Sequence, residues 1–188
     1  MRHGAVEVGD RLHALMALSR AVSSSLDVDE VLRAVIQAAT DITGSSVISL
    51  WAADEAASTL TLAATSDDRL FADFPSRTLR FGQGVLGEVA QRRESIGVAD
   101  MSDSRIAFSE WCQRHDLQSL YGTPILFEDS LLGVLSWCGR GPLPEEDEVR
   151  EMLAYFVDQA AIALRNAKLF ADSRRRERET MASYELAR

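Results

Sequence analysis

Apolar residues along the chain change their repeat several times, and each change marks an element. From Arg11 to Val22 they fall at Leu12, Leu15, Met16, Leu18 and Val22, steps of three and four that predict a helix. Ser23–Ser25 breaks it. Asp27 with Glu30 has the form of a capping box, and Val31, Leu32, Val35, Ile36, Ala39 and Ile42 then line one face of a second helix that Gly44 stops. The repeat drops to two over Ser46–Ala53 and Thr59–Thr65, which predicts a hairpin joined by Asp54–Ser58. Asp67–Arg77 reads as a polar, proline-containing excursion. Short strands are expected at Thr78–Phe81 and Ser95–Ala99, with Gly82-Gln83-Gly84 opening a helix over Val85–Arg93 between them. Ser102–Asp116 reads as a loop plus a short helix, and Ser119–Phe127 with Leu131–Cys138 as the clearest hairpin.

After Pro142 and Pro144, the acidic run Glu145–Glu148 suits the positive end of a helix that runs into the 170s. Its apolar positions Val149, Leu153, Phe156, Ala160, Ala163, Ala167 and Phe170 alternate steps of four and three, the seven-residue repeat that keeps one stripe facing a partner helix. The expected interface of a parallel homodimer therefore comprises Leu12, Leu15, Val149, Phe156, Ala160, Ala163, Ala167 and Phe170. The alternative use of this stripe is burial against the chain's own sheet. An antiparallel sheet with helices gathered on one side makes an α+β domain. The expected organisation is a tail over 1–10, a domain over 11–170 and a charged helical linker over 171–188, leading to an output module.

Composition narrows the field. The chain has 188 residues, 46% of them hydrophobic, with a formal net charge of −9, so its long-range field repels nucleic acid and anionic membranes. No apolar run approaches the roughly 20 residues needed to cross a bilayer, and residues 1–10 lack the apolar stretch of a signal peptide. A cytoplasmic location is the expectation, with no membrane or direct nucleic-acid partner. Two cysteines, Cys112 and Cys138, are too few for a disulfide framework or a Cys-built zinc site. The arginines of Ser173–Glu179 have glutamates as neighbours and read as a solvated connector.

Five segments in order are familiar: Leu26–Leu32, Phe81–Ala90, Asp100 with Arg105, Pro124–Leu126 with Leu132–Leu135, and Asp158–Ala167. Together they resemble the GAF domain of bacterial signalling and transcription-regulatory proteins over about Leu12 to Phe170. The resemblance implies a six-stranded antiparallel sheet, with terminal helices packed on one face and a ligand pocket on the other. It also implies a regulatory, non-enzymatic module that senses an unidentified small molecule. Such a module transmits to an output domain of kinase or transcription-regulator type. Fold alone does not select the ligand, and no cofactor is specified.

Strand parity selects pocket residues. A two-residue turn at Glu128–Asp129 pairs Phe127 with Ser130, Ile125 with Leu132, Thr123 with Val134 and Tyr121 with Ser136. One face then carries Tyr121, Thr123, Ile125, Val134, Ser136 and Cys138, a mixture of hydroxyls and apolar groups as in pockets. The other carries Leu120, Pro124, Leu126, Leu131, Leu135 and Trp137, expected under the helices. By the resemblance, Ser49 and Trp51 join the pocket face, and Phe81, Phe108, Trp111 and Cys112 lie in the region that covers it. The expected ligand-binding set is Ser49, Trp51, Phe81, Phe108, Trp111, Cys112, Tyr121, Thr123 and Ser136. The aromatic members would serve equally as ordinary core.

Particular chemistries are poorly matched. The Asn-Lys…Phe…Asp-Glu signature of cyclic-nucleotide-binding relatives is absent, because the only lysine is Lys168. A bilin-attaching cysteine is usually followed by histidine, whereas Cys112 is followed by Gln113. His115 sits near the axial-ligand position of some haem-binding relatives, so a haem sensor using His115, or a thiol-based redox switch using Cys112, is the alternative reading. The cysteines do not match the arrangement of free methionine sulfoxide reductases. Gly82–Gly87 fits Gly-x-Gly-x-x-Gly but lacks a long βαβ unit, so its glycines more plausibly serve a tight turn and helix packing. Asp100 and Arg105 are placed to pin the loop as an ion pair.

Overall fold

The computed structural model describes residues 28–43, 47–142, 154, 156–162, 164–166, 169, 176 and 181. The expected helix over Arg11–Val22, the Asp27 cap, the tail, most of the linker and the interface positions Leu12, Leu15, Val149, Ala163, Ala167 and Phe170 lie outside these residues. Helix α1, Val28–Thr43, turns Leu32, Val35, Ile36 and Ala39 inward, as their spacing predicts. Strands β1 (Val47–Asp54) and β2 (Thr59–Thr65) form the first hairpin. After β3 (Thr78–Arg80) come helix α2 (Gly84–Arg92), β4 (Ile96–Val98), helix α3 (Ser109–Arg114), and the hairpin β5 (Ser119–Phe127) and β6 (Ser130–Gly139). The helical residues 156–162 and 164–166 belong to a terminal helix, α4.

The six strands lie in the order β3-β2-β1-β6-β5-β4, every neighbouring pair antiparallel. The sheet separates two apolar cores. On one face, α1 and α4 cover Ile48, Leu50, Leu135 and Trp137. On the other, Val47, Trp51, Leu120 and Val134 meet α2, α3 and the connecting loops. This is the expected α+β architecture of a six-stranded antiparallel sheet. No helix among the described residues is long and apolar enough to cross a membrane.

One irregularity redraws the expected faces. The hairpin begins as predicted, with Phe127 opposite Ser130 and Leu126 opposite Leu131. The next pair is Ile125 with Gly133, so Leu132 is an extra residue without a partner. A single inserted residue reverses every later side-chain assignment on one strand relative to the other. Thr123 thus pairs with Leu135, and Tyr121 with Trp137. Tyr121, Thr123 and Ile125 fall on the helix face, contrary to the expectation, while Leu120 and Pro124 exchange to the other. Beyond the bulge the β6 assignments stand, as do those of β1: Ser136 and Cys138 share a face with Ser49 and Val47, their partners in the ladder. Leu131, before the bulge, lies in the core away from α1 and α4, contrary to the expectation.

The expected interface stripe is also corrected. Phe156 and Ala160 are 1% and 0% exposed, consumed by the core between α4 and the sheet. The seven-residue spacing satisfies a sheet as well as a partner helix. Gly133 lets them approach: a Cβ there would collide with the Trp51 carbonyl oxygen and lie 3.3 Å from Leu164 Cδ1. Among the described residues, Ile162 on α4 and Leu169, seven positions further along, are exposed large apolar side chains.

Candidate functional site

The face of the sheet away from α1 and α4 does not pack solidly. A cavity of about 60 Å³ lies between it and the connecting segments. Its floor comes from alternate residues of three strands, Ser49 and Trp51 on β1, Ser136 and Cys138 on β6, and Leu120 on β5. Its rim includes Gln83–Leu86 at the start of α2, where Gly84 has φ +66°. A Cβ on Gly84 would lie 2.7 Å from that of Ala107, so the turn closes tightly here only with glycine. Gly87 has a similar role, since a Cβ would strike the Arg80 carbonyl oxygen. These glycines serve turn and packing, as the absence of a βαβ unit implied.

The roof is aromatic. A short 3-10 helix, Leu70–Asp73, carries Phe71 inward, and Phe74 follows it. The Phe74 ring centroid lies 4.6 Å from that of Trp111, 5.0 Å from Phe108 and 5.8 Å from Trp51, all edge-on. Phe71 and Phe74 were missed in the sequence because Asp67–Arg77 is polar on average. The signal was present in the Leu70, Phe71 and Phe74 spacing. Behind the roof, Pro75, Ala107, Phe108 and Trp111 also line a second, more open hollow of about 270 Å³, with Glu110 and Arg114 at its wall. Phe108 and Trp111 are therefore the partition between an outer vestibule and the inner cavity.

Polar groups on the floor are few and internally paired. Trp51 Nε1 donates to Ser49 Oγ at 2.9 Å, and the Ser49 and Ser136 hydroxyl oxygens are 2.5 Å apart. Both serines are about as buried as the apolar core, at 2% and 1% exposed. Burial pushes the Cys112 thiol up to about 11 and raises Cys138 further, so both remain protonated at neutral pH.

Of the expected binding set, Ser49, Trp51, Phe108, Trp111, Cys112 and Ser136 line the cavity. Phe81 packs against the core beside it without lining it. Tyr121 is wholly buried on the helix face, and its hydroxyl is the one buried side-chain polar atom without a partner among the described residues. Thr123 accepts a hydrogen bond from Ser95 Oγ at 2.9 Å and is likewise away from the cavity.

His115 lies outside the roof. Its Nε2 is 3.0 Å from Asp73 Oδ1 and its ring lies tilted against Trp111, with centroids 4.8 Å apart. Asp73 also accepts from Trp111 Nε1 at 3.0 Å and from Arg114 at 3.2 Å. The Trp111 hydrogen bond is the first cause holding the Asp73 carboxyl below its ordinary range. This clasp ties the Leu70–Asp73 turn to α3. Haem does not fit these residues: His115 is not on the cavity wall, and the nitrogen that would reach outward is held by a carboxylate. A redox role for Cys112 meets a different obstacle, since the reactive species is the thiolate. The expected Asp100–Arg105 pair is replaced by Arg105–Asp103 at 2.8 Å, while Asp100 accepts from Ser102. Two residues of separation let Arg105 reach Asp103 within the same turn.

The fold recurs in solved structures. The GAF domain of an Acinetobacter phosphoenolpyruvate-protein phosphotransferase superposes with a TM-score of 0.71 at 18% identity, covering 86% of this chain and 97% of that one. A free methionine-R-sulfoxide reductase from Neisseria meningitidis, in complex with its substrate, gives 0.70 at 14% identity, covering 85% and 90%. Residues 122 to 287 of a methyl-accepting chemotaxis protein give 0.64 at 24% identity, covering 81% and 98%. At these identities the likeness is one of fold, which spans both signalling proteins and an enzyme. The GAF domain profile matches residues 25–165, and with the sheet order and cavity above, this chain belongs to the GAF domain family.

Proposed function

We propose that this GAF domain is a regulatory module that senses a small molecule in the cavity roofed by Phe74, Phe108 and Trp111 and signals through its terminal helices. The observation that carries the reading is alternation along two paired strands. Ser49 and Ser136 face the cavity, while their neighbours Leu50 and Leu135 lie under α1 and α4. A close-packed interior transmits displacement rather than absorbing it. A ligand that separates the roof from the floor therefore bears on the layer that carries the helices. The signal is limited to the difference in the ligand's affinity for the two arrangements.

The module works as a cytoplasmic homodimer joined through its end helices, with a kinase or transcription-regulator type of output domain beyond the charged linker. Ile162 and Leu169 support this pairing, because two exposed apolar residues seven apart present one stripe of α4. The role is regulatory rather than catalytic, in keeping with two protonated cavity thiols.

Native mass spectrometry of freshly purified chain tests both parts together. The expected result is a dimer that retains a small molecule, and an Ile162→Glu variant that is monomeric. A sole 20.7 kDa species at micromolar concentration would end the paired-helix reading.

A further inference from the structure

The wall of the cavity is informative about charge. None of the described side chains that line it is acidic, basic or histidine. Charges beside the cavity are paired with each other away from it, Arg114 with Asp73 outside the roof and Arg105 with Asp103 beyond the rim. The wall is mainly aromatic and aliphatic carbon, with polar side chains at two places, the floor where Ser49, Ser136 and Trp51 meet and the rim at Gln83, whose amide oxygen is taken by the Arg80 N–H. An ion brought against the aromatic roof and the floor loses its hydration with no opposite charge on a side chain to replace it. A neutral ring loses little and gains contact with Phe74, Phe108 and Trp111.

The serine pair adds one polar requirement. Trp51 Nε1 occupies one lone pair of Ser49 Oγ. If Ser136 donates to Ser49, the Ser49 hydroxyl hydrogen is free to donate into the cavity. If Ser49 donates instead, a lone pair of Ser136 is free to accept. In the second case the Ser136 hydrogen turns to the Ser49 carbonyl oxygen 3.4 Å away, so the pair can meet a ligand polar atom as donor in one arrangement and as acceptor in the other.

Size is set by the partition. The inner cavity of about 60 Å³ is smaller than the roughly 150 Å³ that accommodates benzene in an engineered apolar site. Outward rotation of the half-buried Phe108 into the 270 Å³ vestibule supplies the remaining room. Resting on the sensing reading above, we infer that the cavity takes an uncharged, single-ring, largely apolar molecule carrying one hydroxyl- or carbonyl-type polar atom. Zwitterions, phosphates and carboxylates are refused.

Fluorine NMR on the full chain tests this with para-fluorophenol, para-fluorotoluene, para-fluorobenzoate and para-fluorobenzylamine at neutral pH. The fluorophenol should bind saturably and about tenfold or more tighter than either charged probe. Ser136→Ala should weaken fluorophenol by roughly two- to tenfold, the worth of one hydrogen bond, and leave fluorotoluene unchanged. Two substitutions narrow the space, Leu120→Phe at the floor and Ala107→Leu at the exposed rim, and either should abolish binding of both neutral probes. Benzoate or benzylamine binding as tightly as the phenol, and lost in the filled variants, would overturn the ligand class while leaving the cavity as the sensing site. Failure of every probe to bind, or binding that survives both filled variants, would overturn the cavity itself, and this inference with it.

Discussion

Ser49 and Ser136 stand opposite each other in β1 and β6, 87 residues apart in sequence, with hydroxyl oxygens 2.5 Å apart beneath an aromatic roof. Their unequal surroundings make the two hydroxyls unequal in energy. Ser49 accepts from Trp51 Nε1, so Ser49→Ala strands a buried indole N–H, whereas the Ser136 hydroxyl still reaches the carbonyl oxygen of residue 49 at 3.4 Å. That substitution should cost about 1–3 kcal/mol, and Ser136→Ala about 1 kcal/mol because Trp51 keeps its acceptor. Urea unfolding of the two variants measures the difference, and equal losses would contradict the network.

At Gly133, β6, β1 and α4 approach so closely that a side chain would not fit. Gly133→Ala places a methyl against the Trp51 carbonyl and near Leu164. Overpacking of this kind costs about 1–3 kcal/mol. Faster hydrogen exchange should appear at Trp51 and in residues 156–166 rather than in α3, the helix on the opposite face.

Acid should loosen the roof before it unfolds the sheet. The Asp73 carboxyl is held below its ordinary value of 3.8 by Trp111 first and by His115 and Arg114 after it. A carboxyl with a depressed folded value contributes its full stabilisation above the unfolded value, and loses it as pH falls through the folded one. The Trp111 indole N–H resonance should therefore move only below about pH 3.8, with β5 and β6 amides still protected. In Asp73→Asn the acid-dependent movement should vanish, while the indole hydrogen bond persists to the amide oxygen.

Both thiols should be slow nucleophiles. With Cys112 raised from 9.0 to about 11, its thiolate fraction near pH 8 falls about a hundredfold. Reaction with a disulfide reagent should be correspondingly slow in the folded chain and fast in urea. Rapid native labelling at Cys112 would restore the redox reading.

The elements were readable because their causes are local. Thr59–Thr65 and Ser119–Phe127 coincide with the observed strands to the residue, since alternation and turn residues define them without help from elsewhere. The pocket was half readable. Ser49, Trp51, Phe108, Trp111, Cys112 and Ser136 were found, whereas Tyr121 and Thr123 were displaced by the unpaired Leu132. A bulge in an apolar run such as Leu131-Leu132 leaves no mark in composition, and one residue is enough to reverse a face. Phe156 and Ala160 carry a second lesson. A stripe records that something apolar covers it, and here Gly133 had already brought the chain's own sheet within reach.

The sheet ends at both margins in three-residue strands, Thr78–Arg80 and Ile96–Val98. Such brief borders present few open amides and carbonyls for a neighbouring chain to extend. Two copies of this protein have little to gain by joining sheet to sheet into a continuous ribbon. Runaway polymerisation through β-strand addition is discouraged by the outline of the fold itself.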